Sequence, residues 1–213
     1  MSSYSIKVQI AADDLASLQA ANEQILLVRR FLNAGSPVAW AVVPLAQNHV
    51  IAWNDDYSLF AGAGASLGKV VTVNSATVAT MKSHYTYTGL GFSSPVPDGL
   101  LPPATVQIQN VDKASNAMGL AQTYSVDGVG VAQPVPVNVE SVPANQYARF
   151  TASQSLWIYL ASGTSTGMVV VAPTTAAMSP KAFSAALLVD FDTGAASQTV
   201  LYSAALGQFV ASS

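Results

Sequence analysis

The chain has 213 residues, 51% of them apolar and only 9% charged, with 8 basic and 11 acidic side chains and no cysteine. A net charge of -3 supplies no positive field for phosphates, which excludes nucleic-acid binding driven by counterion release. The lack of cysteine excludes disulfides and thiolate chemistry, and no run of about 18 apolar residues offers a transmembrane span.

Strand signals recur at short spacing along the whole chain. The first half reads Tyr4–Ile10, Val38–Val43, His49–Trp53, Tyr57–Ala61, Lys69–Val73 and His84–Thr88. The second half reads Thr105–Gln109, Met118–Ser125, Val137–Val142, Tyr147–Thr151, Leu156–Ala161, Met168–Val171, Phe183–Phe191, Thr199–Tyr202 and Gln208–Val210. These are short segments separated by Gly, Pro, Asn, Asp or Ser, a pattern that reads as a sandwich or barrel; an all-β sandwich of mostly antiparallel strands with at most one or two short helices is the expectation. Ile6, Val8 and Ile10 alternate with Lys7 and Gln9, so Tyr4–Ile10 is expected to bury one face. Leu15, Leu18, Ile25, Val28 and Leu32 follow helical spacing, yet Ile25–Phe31 also leads through Ala34-Gly35-Ser36-Pro37 into Val38–Val43 as a hairpin would. Residues 13–32 are therefore read as helix or hairpin, with the hairpin preferred by a narrow margin.

The Asp127-Gly128 pair is the clearest hairpin turn, because Gly accepts the positive φ that tight turns demand. Pro95, Pro97, Pro102 and Pro103 predict an extended crossover near 95–104, and Pro134-Val135-Pro136 an edge or crossover, since proline withholds an N–H from any ladder. One domain over 1–213 is expected at this length. The N-terminus has neither a basic n-region nor an apolar h-region, and with no cysteine and no Asn-x-Ser/Thr sequon a cytoplasmic location is the expectation. Sparse surface charge favours self-association, so a homo-oligomer is expected.

Several motifs resemble catalytic signatures and fail on spacing. Asp190-Phe191-Asp192-Thr193-Gly194 matches the Asp-Thr-Gly loop of aspartic proteases, but no second such loop exists and too few residues follow Gly194 for the flap. A calcium loop starting at Asp190 would need further carboxylates at alternate positions and a closing Glu. Gly64-Ala65-Ser66-Leu67-Gly68 has the nucleophile-elbow pattern but precedes a strand rather than a helix, and His84 comes too soon after Ser66. His49 and His84 are the only imidazoles, so no metal is expected. Adjacent Asp55 and Asp56 read as a solvated turn.

The opening Tyr4-Ser-Ile-Lys-Val-Gln-Ile10, the segment His49-Val-Ile-Ala-Trp-Asn-Asp-Asp-Tyr-Ser-Leu-Phe60 and the ending Val189-Asp-Phe…Ser197-Gln-Thr-Val-Leu-Tyr202 resemble a family of cysteine-poor fungal and bacterial β proteins. The coloured proteins of mushroom fruit bodies supply the functional analogy. That resemblance implies a β-sandwich holding a small conjugated chromophore noncovalently, and it carries over no binding residue.

Aromatic groups remain as the chain's means of recognition. Trp40, Trp53, Tyr57, His84, Tyr85, Tyr87 and Trp157 are the candidate ligand contacts, each able to offer an apolar ring with an uncharged polar handle or to serve as plain core. The expected function is non-enzymatic binding of a small, flat, largely apolar ligand, such as a pigment, between these rings. The alternative is a defence protein of the lectin or pore-forming cytolysin type, which would place Trp and Tyr on exposed loops.

Overall fold

Side-chain alternation sets the layers. A computed structural model describes residues 2–32, 35–172, 185–192 and 194–212. The first half forms β1 (Ser3–Gln9), β2 (Gln24–Phe31), β3 (Ser36–Pro37), β4 (Ala39–Val43), β5 (Asn48–Asn54), β6 (Ser58–Ala63), β7 (Thr72–Val78), β8 (Ser83–Tyr87) and β9 (Val96–Pro97). The second half forms β10 (Thr105–Asn110), β11 (Asn116–Gln122), β12 (Ser125–Val126), β13 (Val129–Gly130), β14 (Val135–Pro136), β15 (Asn138–Val142), β16 (Tyr147–Ala161), β17 (Leu187–Val189), β18 (Ser197–Ser203) and β19 (Gln208–Ala211). Among the described residues there is one α-helix, α1 (Ala12–Ala20), between β1 and β2.

The fold is an all-β sandwich. One sheet has the order β13-β12-β5-β1-β18-β19, a second β4-β2-β16-β10-β8-β9 with β17 beside β16, and a third β3-β15-β11-β6-β7 with β14 beside β11. Pairing is mostly antiparallel; the exceptions among the named strands are β1 with β18 and β8 with β10. The sheets share a core built from Ile6 and Val8 on β1, Ile25 and Leu27 on β2, Leu59 on β6, Met118 on β11 and Phe150 on β16. Two smaller clusters lie outside it. Val169 packs with Phe60 and Val139 in one, while Met168 and Val170 border Leu26, Val28 and Tyr159 in the other. The single segment around Met168–Val170 thus plugs two sheets by alternation.

The residues read as helix or hairpin form both. Asp13 and Asp14 sit in the first turn of α1, where carboxylates complement the helix dipole, and Leu18 is its buried residue. Asn22 then takes a left-handed φ of 56°, which ends the helix and releases the chain into β2. From Gln24 the period changes to two, and β2 pairs antiparallel with β4 as the hairpin reading expects. The expected strands Tyr147–Thr151 and Leu156–Ala161 are one 15-residue strand, β16, with an irregularity between Ala152 and Leu156. The strand expected at Lys69–Val73 starts later, at Thr72, because Val70 and Val71 are engaged by Met168 and Gly167 instead. Met168–Val171 forms isolated bridges rather than a strand. Of Phe183–Phe191, only Leu187–Val189 is strand, and 183–184 lie outside the described residues, as do Asn33 and Ala34 of the expected turn.

Asp127 (φ 52°) and Gly128 (φ 84°) both adopt the left-handed conformation of a type I′ turn joining β12 and β13. The proline-rich segment near 95–104, expected to cross between sheets, instead returns to the sheet it left, joining β8 to the parallel β10, with Pro97 in the two-residue edge strand β9; Pro136 belongs to the short edge strand β14. No described helix is long and apolar enough to cross a membrane.

Candidate functional site

The most concentrated chemistry lies where β2, β4, β5 and β16 meet. Alternation along β2 sends Ile25, Leu27 and then Arg29 into the core, where Arg29 is 1% exposed. Its guanidinium lies over two indoles, with Cζ 5.2 Å from the ring centroids of both Trp40 and Trp53. The two hydrogens of Nη2 are shared among three acceptors, the Ser153 carbonyl (2.8 Å), Gln154 Oε1 (2.7 Å) and the Tyr57 hydroxyl (3.0 Å). Among the described residues, Nε and Nη1 have no hydrogen-bond partner.

Further rings close this box. Trp40 and Trp53 meet edge to face at 5.5 Å, Tyr124 packs on Trp40 at 5.1 Å, and Phe191 on Trp53 at 5.1 Å. Tyr4 stacks on Trp53 at 5.9 Å. The Trp40 indole N–H donates to the Gln122 carbonyl, and that of Trp53 points at Gln154 Oε1 at 3.4 Å.

Beside the box sits a carboxylate loop. Asp192 accepts from the Gln154 N–H (2.9 Å) and the hydroxyls of Ser153 (2.8 Å) and Ser155 (3.1 Å), and Asp190 accepts from Ser155 (3.0 Å) and the Asp192 N–H (2.8 Å). Burial pushes the Asp192 carboxyl up, but these donors and the field of Arg29 outweigh it and hold the group below the usual aspartate value. The Asp-Thr-Gly likeness therefore lands on an ionised carboxylate bound by serines and a backbone amide.

The other candidate residues lie elsewhere. Tyr85 and Tyr87 face the main core from β8; the Tyr85 hydroxyl accepts from the Thr80 N–H (2.6 Å), and Tyr87 packs on Phe92 at 5.1 Å. His84 points to the opposite face of β8, where it pairs with Asp98. Trp157 borders the outer cluster at Tyr159 and lines a small cavity of about 150 Å³ with Arg29, Arg30 and Asn138. The structure thus gathers Trp40, Trp53 and Tyr57 around the Arg29 cation, while His84, Tyr85 and Tyr87 on β8 take other partners and Trp157 shares only the small cavity with Arg29.

His49 bridges the Asp127 carboxylate (2.7 Å) and the Pro44 carbonyl (2.9 Å), anchoring the β12–β13 turn. Among the described residues no group of three or more His, Cys, Asp or Glu side chains could hold a metal ion. Tyr147, 61% exposed, is the one exposed aromatic residue among those described.

A larger cleft, of about 320 Å³, opens at the β5–β6 turn. Val78, Ala79, Met81 and Pro134 give it an apolar wall, Asp55, Asp56 and Thr123 a polar rim, and the buried Gln122 also lines it. Tyr57 joins it to the Arg29 box, lining the cleft while its hydroxyl meets the guanidinium. Reading the sequence identified Tyr57 but missed Arg29, Gln122 and the apolar wall. The signal for Arg29 was present, since it shares the strand parity of Ile25 and Leu27.

No family model, curated protein or solved structure matches this chain.

Proposed function

We propose that this is a non-enzymatic binding protein that holds a small, flat, largely apolar molecule in the cleft at Tyr57. The observation that carries this reading is the cleft itself, a concavity of ligand size with an apolar wall on one side and polar groups on the other. The core beneath it supports the reading. Trp40, Trp53 and Arg29 pack against one another and fix Tyr57 from behind, so the cleft floor is preorganised and a ligand loses little affinity to rearrangement. A pigment fits this description, as the resemblance implies.

Native mass spectrometry and an absorbance spectrum of protein purified from its natural source test the proposal. A co-purifying small molecule absorbing in the near-ultraviolet or visible range, released on denaturation, is the expected result. Val78 is 76% exposed, so Val78→Lys should leave the fold intact while placing an ammonium on the apolar wall and reducing the retained ligand severalfold. A colourless native protein that yields no extractable molecule would overturn the reading.

A further inference from the structure

We infer that the ligand of the Tyr57 cleft bears a cationic, hydrogen-donating head: it belongs to the class of aromatic or apolar amines. The inference rests on the binding reading above and names its chemical class. Two features of the cleft support it independently.

The first is charge. Asp55 and Asp56 both line the cleft, and none of its lining residues is Lys, Arg or His. Asp55 Oδ1 accepts from the Ser2 N–H at 3.0 Å, which holds the carboxylate at the β5–β6 turn. Asp56 is exposed. Two carboxylates on one rim favour a cation over a neutral group and oppose an anion, and the apolar wall strengthens the effect by displacing water.

The second is an unused acceptor. Gln122 lines the same cleft yet is 1% exposed, and its Nε2 donates to the Asn54 carbonyl at 2.6 Å, beside Asp55. That bond fixes the amide orientation, leaving Oε1 buried with no donor among the described residues. A buried acceptor without a partner is costly, and an ammonium reaching past the rim would supply what it lacks. The carboxylates call for positive charge and the buried acceptor for a hydrogen-bond donor; an ammonium head group supplies both, with the hydrocarbon part of the ligand against Val78, Met81 and Pro134.

A matched series of probes tests this: naphthylmethylammonium, naphthylmethanol and naphthoate, titrated against the full chain by calorimetry and tryptophan fluorescence at low salt. The ammonium should bind about tenfold tighter than the alcohol, and naphthoate weakest of all. Asp56→Asn, and the double variant with Asp55→Asn, should erode the preference for the ammonium stepwise while leaving the affinity for the alcohol within about twofold. Added salt should weaken the ammonium alone. Equal affinities for alcohol and ammonium would overturn the inference and leave the binding reading standing. If no naphthyl probe binds, both fall.

Discussion

At the scale of single residues, Arg29 is the structure's sharpest commitment. A guanidinium in a core is tolerated only where its donors and charge are met, and here the meeting groups are two indole faces, one tyrosine and two consecutive residues of β16. Removing the side chain leaves a void among large aromatic rings and strips acceptors of their donor. Arg29→Ala should therefore cost about 3–5 kcal/mol in urea unfolding. Arg29→Met keeps much of the volume and eliminates the unpartnered Nε and Nη1, so its cost should be smaller, about 1–3 kcal/mol. Equal costs for the two variants would mean that neither packing around the methionine nor the orphaned donors matter, contrary to the geometry. Both variants should also shift tryptophan emission, since the cation over Trp40 and Trp53 is lost.

Secondary-structure elements reveal what the sequence could and could not disclose. Strands whose apolar residues alternate cleanly were legible at nearly their true ends; β1, β5 and β10 are examples. The Asp127-Gly128 turn was legible because its chemistry is local. What escaped was decided by distant partners. Val70 and Val71 have strand propensity but pair with Gly167 and Met168, and no local pattern announces a partner so far along the chain. Residues 12–31 carry apolar groups compatible with both periods, and only the left-handed Asn22 separates helix from strand. The candidate site followed the same rule: aromatic residues were visible one by one, but which of them converge depends on sheet order. Glycines supply the test at this scale. A Cβ on Gly62 would lie 1.8 Å from the Thr72 carbonyl oxygen, where β6 and β7 shift register, whereas one on Gly128 meets open space and suffers only from its φ of 84°. Gly128→Ala should cost about 1 kcal/mol. Gly62→Ala should cost more than about 2 kcal/mol, because the backbones must separate. Thermal unfolding of the two variants side by side decides the point, and a milder Gly62 substitution would show that the β6–β7 bulge can relax.

For the whole molecule, two opposed sets of carboxyl groups shape stability against pH. Asp98, Asp112 and Asp127 are held below the ordinary aspartate value of 3.8, chiefly by the Leu100 N–H, the Asn116 amide and the Val50 N–H respectively. Asp192 is also held low, its donors and the field of Arg29 overcoming its burial. Each contributes stability that is present above the unfolded value and lost as pH falls through the folded one. Glu23 and Glu140 oppose them. Burial raises both above the ordinary 4.5, and each keeps an Oε2 with no donor. Their folded forms favour the proton, so the stability they contribute is complete below the unfolded value and is lost as pH rises through the folded one. The two trends cross in the mildly acidic range, near the isoelectric point of 5.1, where self-repulsion is also least. The thermal midpoint of dilute protein should therefore peak at about pH 4–5 and decline on both sides. Glu140→Gln isolates the upper limb: it should raise the midpoint at neutral pH by about 2–4 °C and leave it unchanged in acid. Asp192→Asn should do the reverse, lowering the midpoint at neutral pH and flattening the acid limb. A midpoint that climbs steadily from acid to neutral pH in the native chain, with Glu140→Gln making no difference there, would show that the buried glutamates reach solvent and that the aspartates alone govern the profile.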